Sequence, residues 1–441
     1  MKKKLFAAVL CAFAGLTLAS CAGKDYSHTI RFWHTMGDNL QKVLDPQAIA
    51  KFKQDYPDWD VESTQIGGYD DVRNQTITYI AAGKNPDLVY CYPDHIAAYN
   101  RTSIQVVDLN QYINDAELGF TAAEKADFIE GYYNEGSAFG DGAMYSLPFS
   151  KSTEVLYYNK TAFAEEGLDV PTTWEEMENV CRILKTRYAE CTPLGIDSEA
   201  NFFITTAAQK EAPYTSATGS EHYLFDNKEN RDTVQMIKDW VDKGYVTTQQ
   251  LYGGYTSSLF TSTTAARGFM SIGSTGGANH QKPANAAFEV GIAPIPTFVK
   301  DGKTVQESLK CISQGPSLAM LKQPDEEKMK MTWIFMKNYL LTTDFQARFS
   351  MASGYNPVLK STYENPVYKT FLDGADGYDN IAALSAKTSS TLSGNFFVSD
   401  AFVGSSTARD EVGNLIQNVI GSQKMTLDKA FEYALEQCRK G

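Results

Sequence analysis

The sequence predicts an α/β protein of two lobes built on mostly parallel sheets. Three observations carry that expectation. Strand-like runs alternate with helical ones from Thr29 onward, the pattern of βαβ units. A second alternating block begins near Met144. No long linker separates the blocks, so two lobes joined by several crossings fit better than independent beads.

Each element has a local reason. Thr29-Ile-Arg-Phe-Trp33 reads as a strand, and Asp38 or Asn39 caps a helix that Pro57 stops. Val61 to Ile66 is a second strand, turned by Gly67-Gly68 into a helix over 69–82 that Gly83 ends. Asp87 to Cys91 is a third strand. In such sheets ligands sit beyond the carboxyl ends of the strands, so the loops after Trp33, Ile66 and Cys91 are where site residues are expected. In the second block, Tyr145 to Phe149 and Glu154 to Tyr158 read as strands. Thr161 to Glu166 is a short helix closed by Gly167. Thr173-Trp-Glu-Glu176 is a capping box opening a helix to about Tyr188. Helices follow at 229–243, 326–341 and 427–439, and Ala266 to Ile272 is a strand entering the small-residue loop Gly273 to Gly277. Val290 to Thr297 is apolar but carries Pro294 and Pro296, so it suits a crossing better than a central strand.

The 441 residues are 43% hydrophobic and 21% charged, which excludes intrinsic disorder, collagen-like repeats and a polytopic membrane protein. With 40 Lys and Arg against 53 Asp and Glu, the net charge of -13 argues against a nucleic-acid partner. The first 20 residues read as a leader: Lys2, Lys3 and Lys4, then an apolar run from Leu5 to Ser20 that is short for a membrane span. Leu18-Ala19-Ser20-Cys21 is similar to a bacterial lipobox, which implies cleavage before Cys21, lipid on its thiol and a tether over 21–28. Of seven Cys, five lie beyond Cys21, an odd number. Cys181 and Cys191 either pair as a local staple or stay as buried thiols.

No GxSxG, HExxH or Walker A motif occurs, and neither the Cys nor the five His show metal-ligand spacing. No catalytic set, metal or cofactor is therefore expected. Trp33 and His34, at the end of the first strand, are candidates to line a cleft. Trp174 is expected to pack a helix start and Trp240 a core.

Four strings carry a family resemblance: Phe32-Trp-His-Thr-Met36, Asn85-Pro-Asp-Leu-Val89, Leu147-Pro-Phe-Ser-Lys-Ser-Thr-Glu-Val-Leu-Tyr-Tyr-Asn-Lys160 and Val290-Gly-Ile-Ala-Pro-Ile-Pro296. Ser353-Gly-Tyr-Asn-Pro357 adds to them. The chain resembles the extracellular solute-binding proteins of ABC importers, the family that includes the maltose-binding proteins. The resemblance implies a type II periplasmic-binding-protein fold with an interlobe cleft, a small polar solute, and the transmembrane subunits of an ABC permease as partner. It places one lobe at 29–149 and 298–343 and the other at 150–297 and 344–441, with a hinge near 149–151 and 292–296. It implies an extracytoplasmic protein, held to the membrane by lipid at Cys21.

Within the family the chain looks most like the glycerol-3-phosphate-binding branch. That branch implies Tyr69 after the second strand, Ser152 at the first crossing, Ser274 beyond Met270, the backbone amide of Gly315, Tyr355 and the late Arg409 as ligand-binding residues. Hydroxyls and an amide satisfy phosphate oxygens, and Arg forks two of them. The branch's Glu after the third strand is replaced by Pro93, with Asp94 next in line to hold the polyol hydroxyls. The implied ligand is glycerol 3-phosphate or a glycerophosphodiester. The alternative is a mono- or oligosaccharide, which the 25 Tyr permit by stacking.

Overall fold

The computed structural model describes residues 25–440. The leader at 1–20, Cys21 and the first residues of the tether lie outside the described residues. The strands are β1 (Thr29–His34), β2 (Asp60–Gln65), β3 (Leu88–Cys91), β4 (Leu147–Pro148), β5 (Glu154–Asn159), β6 (Leu194–Ile196), β7 (Val246–Thr248), β8 (Met270–Ser274), β9 (Val290–Pro294), β10 (Cys311–Ile312), β11 (Ser317–Met320) and β12 (Phe396–Phe397). They form two five-stranded sheets, ordered β2-β1-β3-β11-β4 and β7-β6-β8-β5-β9, and a small β10-β12 pair.

Each large sheet has four strands running one way and a single strand against them, in keeping with the expectation of mostly parallel sheets. β1 runs parallel to β2 and β3, while β11 is antiparallel to β3 and β4. β6 runs parallel to β7 and β8, while β5 is antiparallel to β8 and β9. The reason is the crossings. Ser317 of β11 pairs with Cys91 at the end of β3, and Glu154 of β5 pairs with Ser274 at the end of β8. A strand arriving from the other lobe starts where the parallel strands finish, so it must run against them.

Alternation along the strands builds the first lobe's two cores. Phe32, Leu88, Tyr90, Leu318 and Met320 face one cluster with Trp333, Phe335 and Phe345. Trp33, Val89, Cys91 and Ala319 face the opposite cluster with Ile96 and Tyr99. The second lobe has its own core around Leu156, Trp174, Ile196, Trp240, Ile272 and Leu415.

Local signals held up where the chemistry is local. Thr173 Oγ1 accepts from Glu176 N at 3.1 Å, and Thr173 N donates to the Glu176 carboxylate at 3.2 Å, so the capping box closes both ways. The helix after β1 runs Asp38–Leu44 and Ala50–Asp55 with a wider turn at Asp45–Ile49, where Pro46 has no N–H for the ladder. Cys181 and Cys191 are free and buried, as are Cys91, Cys311 and Cys438.

The lobe boundaries move. Val290–Pro294 is an edge strand of the second sheet, where proline's missing donor is harmless, and not a crossing. The chain stays with the second core through Leu309, Cys311 and Ile312. It returns at 313–316, rather than at 292–296. Helix Thr343–Ser353 then packs into the first core through Phe345 and Phe349, and the second core is rejoined by helix Ile381–Ser390.

Candidate functional site: an interlobe cleft

The crossings are laced together. Ser152 N donates to Gln314 O at 2.8 Å and Gln314 N to Ser152 O at 2.9 Å. Lys151 N donates to Asn356 O at 3.2 Å and Asn356 N returns to Lys151 O at 2.6 Å, so segment 354–357 lies beside the first crossing. Lys151 is 0% exposed. Its ammonium meets the buried Glu135 carboxylate and donates to Gly315 O at 2.8 Å. Gly315 explains why the crossings can lie so close. Its φ is +85°, and a Cβ there would stand 2.2 Å from Ser150 O.

Two adjoining compartments open over this lacing, and Tyr92 and Gln314 line both. The smaller, about 290 Å³, is lined by Tyr69, Asp94, Glu135, Arg409 and Asp410 among others. The larger, about 530 Å³, takes Ser152, Glu154, Asp197, Asn201, Ser274 and Tyr355. Six of the nine expected residues are therefore gathered at the cleft. Tyr69, at the start of helix Tyr69–Ala81, reaches across so that its hydroxyl lies 3.2 Å from the Tyr355 hydroxyl. Ser274, at the end of β8, caps the following turn by accepting from Gly276 N at 3.2 Å. Gly276 has no Cβ to push against the Tyr355 ring, which a Cβ would meet at 3.2 Å.

Three expected residues line neither compartment. Trp33 points into the cluster on the far face of the first sheet and packs edge-on against Tyr79. His34 is buried, accepts from Met36 N at Nδ1 (3.0 Å), and its Nε2 meets Ser63 Oγ at 2.6 Å. Burial holds its pKa down to about 4, so it is a neutral structural imidazole. Gly315 serves the crossing: its carbonyl is taken by Lys151 and its small size by Ser150.

Arg409 sits on helix Ser405–Ile420 and lines the smaller compartment. It donates to Asn201 Oδ1. With the Gln314 amide oriented to satisfy both neighbours, its oxygen accepts from Arg409 at 3.0 Å and its nitrogen donates to Glu154 at 3.2 Å. Glu154 also accepts from Asn201 at 2.6 Å. Burial pushes the Glu154 carboxyl up to about 7, against the Asn201 hydrogen bond. Burial also raises Asp197, against hydrogen bonds from Thr256. Tyr92, Asp197, Asn201 and Gln314 were missed as site residues from sequence. Asn201 lies on helix Glu199–Gln209, whose Ser198 cap before an apolar run was the available signal.

This arrangement suits reversible capture of a polar solute. Hydroxyls, amides, carboxylates and the guanidinium groups of Arg73 and Arg409 line the two compartments, a mixture of donors and acceptors that hydrogen-bonds a polar solute. Among the described residues, no group of three or more His, Cys, Asp or Glu is placed to hold a metal ion, and no helix is long and apolar enough to cross a membrane.

Residues 47–372 match the model of a family described as bacterial extracellular solute-binding protein. The sn-glycerol-3-phosphate-binding periplasmic protein UgpB of Escherichia coli is 26% identical over 383 residues, covering 82% of each chain. Among solved structures, UgpB from Mycobacterium tuberculosis in complex with glycerophosphocholine superposes with a TM-score of 0.72 at 19% identity, over 94% of this chain and 98% of that one. The cyclic alpha-maltosyl-1,6-maltose binding protein from Arthrobacter globiformis does so with a TM-score of 0.72 at 17% identity, over 93% and 98%. With the two-lobe fold and most of the chain inside the family match, the chain belongs to the bacterial extracellular solute-binding proteins.

Proposed function

We propose that this protein captures glycerol 3-phosphate or a glycerophosphodiester in the interlobe cleft and delivers it to the transmembrane subunits of an ABC permease. The observation that carries this is Arg409 in the smaller compartment, donating to Asn201 of the larger, with Tyr69, Ser152, Ser274 and Tyr355 lining one compartment or the other. The guanidinium supplies the charge that a phosphate requires, and the hydroxyls supply donors. Asp94 is offered to the polyol end. The relatives that bind glycerol phosphates support the assignment. Binding leaves the ligand chemically unchanged.

A ligand that binds only the folded protein raises its stability by about 2.7 kcal/mol at a hundred times Kd. sn-Glycerol 3-phosphate and glycerophosphocholine are expected to raise the melting temperature of the soluble chain, and maltose to leave it alone. The reverse order would support the second reading, a mono- or oligosaccharide. That reading is favoured by the maltosyl-maltose-binding neighbour and by Asp197 and Asn201 in the larger compartment.

Attachment to the membrane rests on Leu18-Ala19-Ser20-Cys21. Cys21 is expected to be the lipidated first residue of the processed chain, and Cys21→Ser to leave it unprocessed or free of the membrane. Intact mass spectrometry checks this, and an unmodified Cys21 in wild type would overturn it.

A further inference from the structure

One wall of the smaller compartment is a strap of chain without regular structure. Residues 398–404 leave the β10-β12 pair and end at Gly404, whose φ of +109° opens helix Ser405–Ile420. Ser399, Asp400 and Ala401 line the compartment. The root of the strap is firm: Phe396 packs against both lobe cores, and its ring stacks on Tyr132 at 4.7 Å. Beyond the root the strap belongs to the second lobe. Asp400 Oδ2 accepts from Ala217 N at 2.8 Å, and the Phe402 ring stacks on His222 at 4.8 Å. A Cβ on Gly404 would meet the Tyr223 hydroxyl at 2.3 Å, so the strap lies tight on this hairpin. Tyr214 and Tyr223 seat the hairpin on the second core.

Toward the first lobe the strap is held lightly. Ala401 N donates to Ala138 O at 2.9 Å, next to Phe139, which packs on the first lobe's far cluster. Beside that bond, Gly140 meets the hairpin tip: a Cβ there would stand 3.2 Å from Thr218 Cγ2 and 3.7 Å from Ala217 Cβ. A lone backbone hydrogen bond is weak in net terms, because water takes up both partners when it breaks. The crossings are laced far more strongly, by paired backbone bonds in both directions and by the buried Lys151–Glu135 ion pair.

We propose that this seam is a gate. The lobes part along Ala138–Ala401 and Gly140–Ala217, the strap leaves with the second lobe, and solute passes into and out of the smaller compartment through the gap. The strap runs directly into the helix that carries Arg409, so opening the seam also draws Arg409 away from Tyr69 and Asp94 of the first lobe. The gate acts in the same way whichever solute fills the cleft.

Gly140 and Ala217 offer a lock. Their 3.7 Å separation falls inside the range of about 3.5–4.5 Å between the Cβ atoms of a disulfide, and the native cysteines among the described residues are buried. In the soluble chain carrying Gly140→Cys and Ala217→Cys, oxidation is expected to slow uptake and release of radiolabelled sn-glycerol 3-phosphate at least hundredfold, and a thiol reductant to restore both. Unchanged rates in the oxidised protein would make the seam a fixed joint and overturn the gate. Hydrogen exchange on the wild-type chain needs no substitution. The Ala401 amide is expected to exchange at least tenfold more slowly with sn-glycerol 3-phosphate bound, while the Ser152 amide in the crossing does not change. Equal protection of Ala401 in both states would count against the gate. Should sn-glycerol 3-phosphate bind neither the reduced nor the oxidised protein, the phosphate reading falls and small-angle scattering judges the gate. The reduced, solute-free protein must then have a larger radius of gyration than the oxidised one, and equal radii would overturn the proposal.

Discussion

Replacing Lys151 by methionine is expected to cost about 3–5 kcal/mol of folding stability at pH 8, because it strands a buried carboxylate. Lys151 and Glu135 are both buried, and the ammonium meets that carboxylate and the Gly315 carbonyl together. The loss should depend on pH with a definite sign. Burial already raises the Glu135 pKa, with Lys151 as the main opposing influence. Removing the lysine raises it further, so the folded variant holds a proton that the unfolded chain has released. Such a group stabilises the fold at low pH and loses that contribution as pH rises. The deficit of Lys151→Met should therefore be small near pH 5 and widen toward pH 8. Urea unfolding at the two pH values measures this. Lys151→Met with Glu135→Leu should recover most of the loss, since no charge is then buried alone. A pH-independent deficit in the single variant would show that the ion pair is not its cause. The same pair ties the first crossing to the return crossing, so it also sets how the lobes meet over the cleft.

Arg409→Ala is expected to weaken sn-glycerol 3-phosphate binding by about 2–5 kcal/mol, a loss of thirtyfold or more, because a buried phosphate would lose its charged partner. Arg409→Lys should recover only part, since an ammonium does not reproduce the planar fork that reaches Asn201, Gln314 and a ligand from one group. Titration calorimetry of the three proteins is the check. Equal affinity in wild type and Arg409→Ala would make Arg409 a structural brace for Asn201 and Gln314. A fall in melting temperature without a fall in affinity would point the same way.

The sequence by itself determined the elements whose causes are local. The Thr173 capping box, the glycine that closes the helix at Gly167, and the strand runs from Thr29 and Glu154 needed only neighbours a few residues away. The resemblance to the glycerol-3-phosphate-binding branch implied Tyr69, Ser152, Ser274, Tyr355 and Arg409, with Asp94 in place of that branch's Glu, and the fold gathers all six at one cleft. Trp33 and His34 sit beside the cleft in sequence terms, yet pleat and burial turn both away from it. Tertiary structure alone decided that outcome, because a strand's facing depends on which sheet covers which side. It also decided that Gly315 serves the crossing, since its need for a missing Cβ comes from Ser150, far away in the chain. The second compartment was hidden for the same reason. Asp197, Tyr255, Gly273 and Gln281 come from separate elements, each ordinary in its own stretch, and only the packing of β6, β8 and their loops makes them neighbours.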